Sequence, residues 1–261
     1  MGTGAVAAAA AAGITLWRPE DAGAPHDDYF STLNEMLKTE GPGRPVLLLD
    51  LDRMNHNIDL LARSVGPDKT YRVVVKSLPS VELLAHVMDR AKTRALMVFH
   101  QPFLNQIAQV FPDSDVLMGK PMPFQAARVF YASLGNTGFE PSQQLQWLID
   151  TPARLGEYQK LARSLGVNMR INVEIDVGLH RGGVEDQAQL SAMLRTMADD
   201  PEHLSFAGLM GYEPHLTGMG AGLDHPAVQA VLGRYQACRN TVKAAGYAPE
   251  TLTLNGAGSH T

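Results

Sequence analysis

Strand-like and helical segments alternate from residue 46 to the end of the sequence, and this alternation limits the fold more than any other feature. Runs of apolar or β-branched residues predict eight strands, at 46–51, 71–76, 95–100, 115–118, 145–150, 169–176, 204–212 and 251–255. Helical periodicity predicts the helices between them, at 53–65, 81–91, 102–111, 123–134, 152–166, 185–199 and 226–245. Strands that alternate with helices of this length form βαβ units, so the sheet is predicted to be parallel.

Two folds accommodate such a sheet, a (β/α)8 barrel and an open doubly wound sheet. A doubly wound sheet that binds a dinucleotide carries a glycine-rich turn between a strand and the helix after it. Here the turn of that kind, at 256–258, lies at the end of the sequence with no helix behind it. The barrel is therefore the predicted fold. Asp52, Ser80 and Thr151 precede three of the predicted helices and are expected to cap them.

The chain before residue 46 carries two further predictions. Residues 1–20 are an apolar leader, whose run at 4–17 has the length of the hydrophobic region of an export signal but no basic residue before it. We expect either a cytoplasmic protein with an alanine-rich leader or a protein exported to the periplasm. Residues 21–45 are predicted to be a linker with one short helix at 30–38.

Composition argues against several classes of protein. The 261 residues include 27 acidic and 22 basic side chains, so there is no basic excess of the kind that binds nucleic acid. The single cysteine, Cys238, cannot form an internal disulfide. No Cys/His spacing is typical of a zinc site, and no residue is predicted to bind a metal.

Lys76 ends the predicted strand at 71–76, in which it follows three consecutive valines. In a barrel the working residues lie at the carboxyl ends of the strands and in the loops that follow. There the Lys76 ammonium is expected to be partly desolvated, which favours the neutral amine that forms a Schiff base with a carbonyl compound. The alternative is an ordinary strand that ends in a solvated lysine.

Two strand ends later in the chain carry further catalytic candidates. Arg181 follows the strand at 169–176 and is flanked by glycines, so its guanidinium can pair with a carboxylate or phenolate that approaches closely. Tyr212 and His215 follow the next strand, where they can flank a planar ring and supply or accept a proton. The ordinary alternatives are a surface arginine in a tight turn and a loop histidine.

Small and hydroxyl-bearing residues follow the last predicted strand. Their backbone N–H groups and hydroxyls can form a cradle for phosphate, although such turns also occur without ligands. The candidates are Asn255, Gly256, Gly258, Ser259 and Thr261. A phosphate cradle opposite a Schiff-base lysine is what a pyridoxal phosphate site requires.

Four segments, in order, resemble the alanine-racemase-like, fold-type III pyridoxal phosphate enzymes. They are 49–57 with its Asp…His-Asn signature, the strand before Lys76, the acidic-Asp-x-Gly-x-x-Arg segment at 174–181, and the glycine/hydroxyl loop at 256–261. The match runs from about residue 45 to 261 and is most similar to the D-threonine aldolase and D-serine dehydratase branch.

The resemblance implies an α/β TIM-barrel of the alanine racemase N-terminal domain type over 46–261, with Lys76 on barrel strand one. The strand at 46–51 would precede the barrel, and the strand at 251–255 would be the seventh. The eighth strand and the family's C-terminal β domain then lie beyond this sequence, which looks truncated relative to the family. The resemblance also implies pyridoxal 5'-phosphate as cofactor, an amino-acid substrate, and a homodimer with a divalent metal when full length.

The same resemblance assigns roles. Lys76 would hold the cofactor and act as acid and base, Arg181 would lie beside the ring, Tyr212 and His215 would line it, and residues 255–261 would hold the phosphate. Retro-aldol cleavage or β-elimination of a D-amino acid or β-hydroxy amino acid is the expected reaction.

The loop after the lysine leaves alternatives open. Residues 77–80 read Ser-Leu-Pro-Ser, where the branch has a histidine and racemases have Ala-Asn-Ala-Tyr. An amino-acid racemase, a non-catalytic truncated barrel that binds pyridoxal phosphate, and a cofactor-free class I aldolase therefore remain as alternatives.

Overall fold

The computed structural model describes residues 23–216, 222 and 224–256, so the predicted leader lies outside the described residues. The chain divides into two compact units, residues 1–50 and 51–261. The first contains helix α1 (Asp28–Glu40), which begins where the Asp27 carboxylate accepts a hydrogen bond from the Phe30 N–H at 2.9 Å. This helix confirms the one predicted at 30–38, with two more residues at each end.

The predicted strand at 46–51 does not form. Residues 45–50 are irregular, Leu47 is 99% exposed, and no described strand pairs with the segment. A strand needs a neighbour for its backbone N–H and C=O groups, and apolar composition alone does not supply one. Helix α2 begins at Leu51, so Asp52 lies in its first turn instead of capping it.

The second unit alternates strands and helices as predicted. Within the described residues its strands are β1 (Val73–Val74), β2 (Ala95–Val98), β3 (Asp115–Met118), β4 (Leu145–Ile149), β5 (Met169–Glu174), β6 (Leu204–Met210) and β7 (Thr253–Asn255). Its helices are α2 (Leu51–Ser64), α3 (Val81–Ala91), α4 (Gln101–Val110), α5 (Phe124–Ser133), α6 (Pro141–Gln144), α7 (Pro152–Leu165), α8 (Gln187–Ala198) and α9 (Pro226–Ala244). Short 3-10 turns occupy Val75–Ser77, Pro214–Leu216 and Pro249–Thr251.

Local capping signals position the helices that follow the strands. Ser80 and Thr151 accept hydrogen bonds from the N–H groups of Leu83 and Arg154, at 3.3 and 3.2 Å, which confirms both predicted caps. Helix α7 ends at Gly166, whose φ of 63° is the left-handed conformation that glycine adopts without strain.

The seven described strands are parallel and lie in the sheet in sequence order, from β1 to β7. This order never reverses, which rules out the doubly wound alternative. The sheet is strongly curled. Gln146 on β4 donates from Nε2 to Thr253 Oγ1 on β7 at 2.9 Å, whereas strands three apart in a flat sheet are about 14 Å apart. The predicted α/β barrel with seven strands is therefore confirmed.

The core lies on both faces of this sheet, since β2 and β4 are buried along their whole length. Phe130 from α5 and Tyr158 from α7 pack against Trp147 of β4, with ring centroids 5.7 and 5.6 Å away. These fully buried rings hold the outer helices against the strands. No helix in the described ranges is both long and apolar enough to cross a membrane.

Candidate active site

Lys76 lies in the 3-10 turn that directly follows β1, at the carboxyl end of the strand. Its neighbour Val75 is buried, but Lys76 itself is exposed, so the predicted partial desolvation is not found. The Lys76 Nζ atom lies 4.2 Å from the centroid of the Phe99 ring, which follows β2. An aromatic face attracts an ammonium and restricts where it sits. Phe99 was not among the site residues predicted from the sequence.

A glycine makes room for the Phe99 ring. A Cβ on Gly119, which follows β3, would lie 2.4 Å from the nearest ring carbon, which is closer than real Cβ atoms approach. Phe99 therefore occupies space that any larger residue at position 119 would fill. The glycine signal was present in the sequence, but only the pairing of β2 with β3 shows what it accommodates.

Arg181 and Tyr212, both candidates from the sequence, lie together, and Glu174 joins them. Arg181 donates from Nε to Glu174 Oε1 at 3.1 Å and from Nη2 to the same oxygen, and its guanidinium carbon lies 4.5 Å from the Tyr212 ring centroid. The Glu174 side chain is 5% exposed and that of Arg181 is 21% exposed. The carboxylate fixes the guanidinium from one side, and Nη1 has no hydrogen-bond partner among the described residues. That nitrogen can bind a further anion.

The loop that carries Arg181 is organised around Asp176. The Asp176 carboxylate accepts hydrogen bonds from the N–H groups of Gly178 and His180, at 2.8 and 3.0 Å, and lies 2.6 Å from His180 Nδ1. Burial alone would raise the pKa of Asp176, but these hydrogen bonds together hold it below its ordinary value. Gly183 is also required, because a Cβ there would lie 2.7 Å from the Ile175 carbonyl carbon.

His215 lies in the 3-10 turn Pro214–Leu216 after β6. Its Nδ1 atom is buried and has no hydrogen-bond partner within the described part of the chain. Its Nε2 atom would lie 3.6 Å from a Cβ on Gly178. His215 therefore faces the loop of Arg181, and its unpaired nitrogen can take a polar group from a ligand.

The predicted phosphate residues are described only in part. Asn255 ends β7, and its carbonyl accepts a hydrogen bond from the Gly211 N–H at 3.0 Å. Gly256 packs against the Tyr235 hydroxyl, 3.0 Å from where a Cβ would stand. Gly258, Ser259 and Thr261 lie outside the described residues.

The candidate residues fall into two groups, and both groups lie at the carboxyl ends of the parallel strands. The carboxyl ends of β5, β6 and β7 bring together Arg181, Tyr212 and His215, whereas Lys76 stands on β1 at the other end of the strand order. No hydrogen bond, ion pair or ring contact between described residues joins Lys76 to that group. Curling of the sheet turns these two ends toward the same interior.

The side chains suit an anionic, planar carbonyl compound. The amine can bond to a carbonyl, the guanidinium with its aromatic neighbour can hold an anionic ring substituent, and the imidazole can exchange a proton. Within the described ranges, no group of three or more His, Cys, Asp or Glu side chains is placed to hold a metal ion.

Known proteins resemble this chain in sequence family and in fold. The family described as alanine racemase, N-terminal domain, matches residues 49–261. No curated protein matches the sequence. Among solved structures, D-threo-3-hydroxyaspartate dehydratase from Delftia sp. HT23 is 21% identical, with a TM-score of 0.64 over 80% of this chain and 59% of that chain. Alanine racemase from Clostridium difficile 630 is 13% identical, with a TM-score of 0.59 over 79% of this chain and 52% of that chain.

Alanine racemase from Bacillus anthracis is a third structure with this fold. It is 14% identical, with a TM-score of 0.62, and the alignment covers 82% of this chain and 58% of that chain. The chain therefore spans between about half and three fifths of the length of these three solved proteins. At these identities the likeness establishes a shared barrel fold.

Proposed function

Because the chain belongs to the alanine racemase N-terminal domain family, we propose that it binds pyridoxal 5'-phosphate covalently through Lys76 and acts on a D-amino acid or a β-hydroxy amino acid. One observation carries the proposal. Lys76 stands at the carboxyl end of β1 with its amine against the Phe99 ring and forms no ion pair within the described residues. An amine without a carboxylate partner is available to bond to an aldehyde.

The residues on the opposite strand ends fit the rest of the cofactor. Among the described residues nothing bonds to Arg181 Nη1, which is available to the ring oxygen, the ring nitrogen or the substrate carboxylate, and Tyr212 gives the guanidinium a rigid aromatic neighbour. His215 Nδ1, which is buried and has no hydrogen-bond partner within the described ranges, supplies a hydrogen-bonding position at the same place. Residues 255–261 are proposed to hold the phosphate, and Asn255 and Gly256 are their described members.

Each side chain then has a separate task. When bound, the cofactor supplies an electron sink for negative charge at the substrate Cα. Lys76 takes or returns a proton on one face of the ring, Arg181 fixes an anionic group, and His215 exchanges a proton beside it. Tyr212 packs against the guanidinium and restricts its position. We assign no metal site to the described residues.

Elimination from, or retro-aldol cleavage of, a β-hydroxy amino acid is the proposed reaction, and racemisation is the second candidate. One of the compared barrels is a D-threo-3-hydroxyaspartate dehydratase by name, and others are alanine racemases. The loop at 77–80 carries no histidine or tyrosine, so it offers no second proton-transfer group of the kind that separates these reactions. A homodimer is proposed for the full-length protein.

The test is an absorbance titration with pyridoxal phosphate, followed by borohydride reduction and peptide mapping. We expect a visible band that borohydride bleaches, with the label on Lys76 and no band in Lys76→Ala. Lys120→Ala is the matched control, because Lys120 also follows a strand end and is exposed; it is expected to keep the band. A band that survives Lys76→Ala would assign the cofactor to another lysine.

Two further outcomes separate the alternatives. Borohydride trapping of a keto substrate by cofactor-free protein would favour a class I aldolase. A band on Lys76 without turnover of any D-amino acid would favour a barrel that binds the cofactor and does not catalyse.

A further inference from the structure

Helix α9 directs two consecutive side chains, Arg234 and Tyr235, at the loops that carry the candidate site. Arg234 donates from Nη1 to the Asp176 carbonyl at 3.0 Å, and the same nitrogen lies 3.8 Å from the Asp176 carboxylate. Asp176 is also the residue whose carboxylate holds the N–H groups of Gly178 and His180. Arg234 therefore fixes the residue around which the loop to Arg181 is folded.

Tyr235 reaches the next loop. Its hydroxyl donates to Glu213 Oε2 at 3.1 Å. Glu213 is buried and stands between Tyr212 and His215 in the sequence. Burial, and then the negative charge of Glu213, raise the pKa of Tyr235 far above its ordinary value, so the phenol keeps its proton and remains a donor.

The same hydroxyl also contacts the ends of β6 and β7. A Cβ on Gly211 would lie 2.1 Å from the Tyr235 hydroxyl oxygen, and one on Gly256 would lie 3.0 Å from it. The hydroxyl thus fills the space that glycine leaves at both strand ends. Gly256 is also 3.5 Å, measured from its Cβ position, from Glu213 Oε1.

A tyrosine that only packs a core looks different. Tyr158 is fully buried, and its hydroxyl donates to one backbone carbonyl, that of Met122, at 3.0 Å. It reaches neither the loop of Arg181 nor that of Tyr212. Tyr235, in contrast, bonds to a buried carboxylate within the segment that carries two site residues.

We propose that Arg234 and Tyr235 are positioning residues that hold the loops after β5, β6 and β7 in register with one another. They touch those loops rather than any reacting atom, and their effect on the cofactor rests on the proposed function. They act by keeping Arg181, Tyr212 and Gly256 in place before a ligand arrives.

The experiment compares Tyr235→Phe and Arg234→Gln with matched controls in the same chain. Tyr158→Phe removes a buried hydroxyl away from the three loops, and Arg163→Gln removes a partly exposed arginine that pairs with Asp200 at 2.7 Å. The first readout is amide hydrogen exchange in cofactor-free protein, over peptides that cover 176–184, 211–216 and 253–256. The second readout is the Kd for pyridoxal phosphate, and the third is the Tm.

We expect Tyr235→Phe to speed exchange at 211–216 and 253–256, and Arg234→Gln to speed it at 176–184. Loss of one partly buried hydrogen bond corresponds to up to about tenfold in such an equilibrium, and the Kd is expected to rise by a similar factor. Both controls are expected to lower the Tm and to leave the exchange of these peptides and the Kd within about twofold of the parent.

The outcomes are separable. If amide hydrogen exchange at 211–216 and 253–256 were equal in Tyr235→Phe and Tyr158→Phe, the positioning role would be overturned. A parent chain that gives no cofactor band would refute the proposed function, and the exchange of cofactor-free protein would then decide the positioning role by itself.

Discussion

Replacing Arg181 with glutamine leaves a buried carboxylate without its cation, and the structure sets the size of the effect. Glu174 is 5% exposed and accepts two N–H groups from Arg181, which is 21% exposed. Removing one partner of a buried ion pair costs about 3–5 kcal/mol. Because water reaches part of the guanidinium, the cost here belongs at the lower end, about 3 kcal/mol. In a chain of this size, about 2–4 °C per kcal/mol gives a fall in Tm of about 6–12 °C.

The assay is thermal and urea denaturation of cofactor-free protein, so that ligand binding does not contribute. Arg90→Gln is the control, since its pair with Asp59 is 39% and 36% exposed and is expected to contribute much less. The double variant Glu174→Gln/Arg181→Gln leaves no uncompensated charge and should regain more than half of the lost stability. If Arg181→Gln had the same Tm as the parent protein, the reasoning would be refuted.

Two more predictions concern the strand ends. Gly208→Ala would place a Cβ 1.9 Å from the Thr253 carbonyl oxygen, so β7 must move away from β6. We therefore expect a lower Tm and faster amide hydrogen exchange at residues 253–255. Unchanged exchange at these residues would contradict this prediction. Burial opposes ionisation of Asp176, yet hydrogen bonds from Gly178 and His180 keep its pKa depressed, so its contribution to stability is present above about pH 5 and is lost as the pH falls below about 4. Asp176→Asn should therefore melt below the parent at pH 7, and the difference in Tm should shrink as the pH falls below about 4. A difference in Tm that does not change with pH would argue against this linkage.

Local signals in the sequence predicted most of the fold. The Ser80 and Thr151 caps and the helical periodicity between strands depend on residues three or four positions apart, so they can be read without a structure. Strand lengths depend on a distant neighbour. The strand predicted at 71–76 pairs with β2 only through Val73 and Val74, and the chain turns at Val75–Ser77 before Lys76. The same dependence explains why the run at 46–51 is not a strand.

The candidate site was predicted less completely than the fold. The motif around Arg181 suggested an anion-binding side chain and includes Glu174, but the pairing of these two side chains, and the contact of Arg181 with Tyr212 from the loop after β6, are seen only in the folded structure. Tyr235 lies in the middle of a helix, where nothing in the local pattern distinguishes it from a core residue. The signal that could have found it is a pair of glycines, Gly211 and Gly256, at consecutive strand ends.

The buried carboxylates at these strand ends also limit which groups can move a proton. Glu174, Asp176 and Glu213 are all buried, and each bonds to an arginine, a histidine or a tyrosine that holds a loop in place. A carboxylate held in such bonds can take a proton from a ligand only by giving up a contact that orders a loop. Under the proposed function, proton transfer at a bound amino acid would therefore fall to Lys76, which is exposed, and to His215, whose Nδ1 has no hydrogen-bond partner among the described residues. Substitutions at the three carboxylates should first alter loop order and the affinity for pyridoxal phosphate, whereas substitution of His215 should alter the rate of the chemical step.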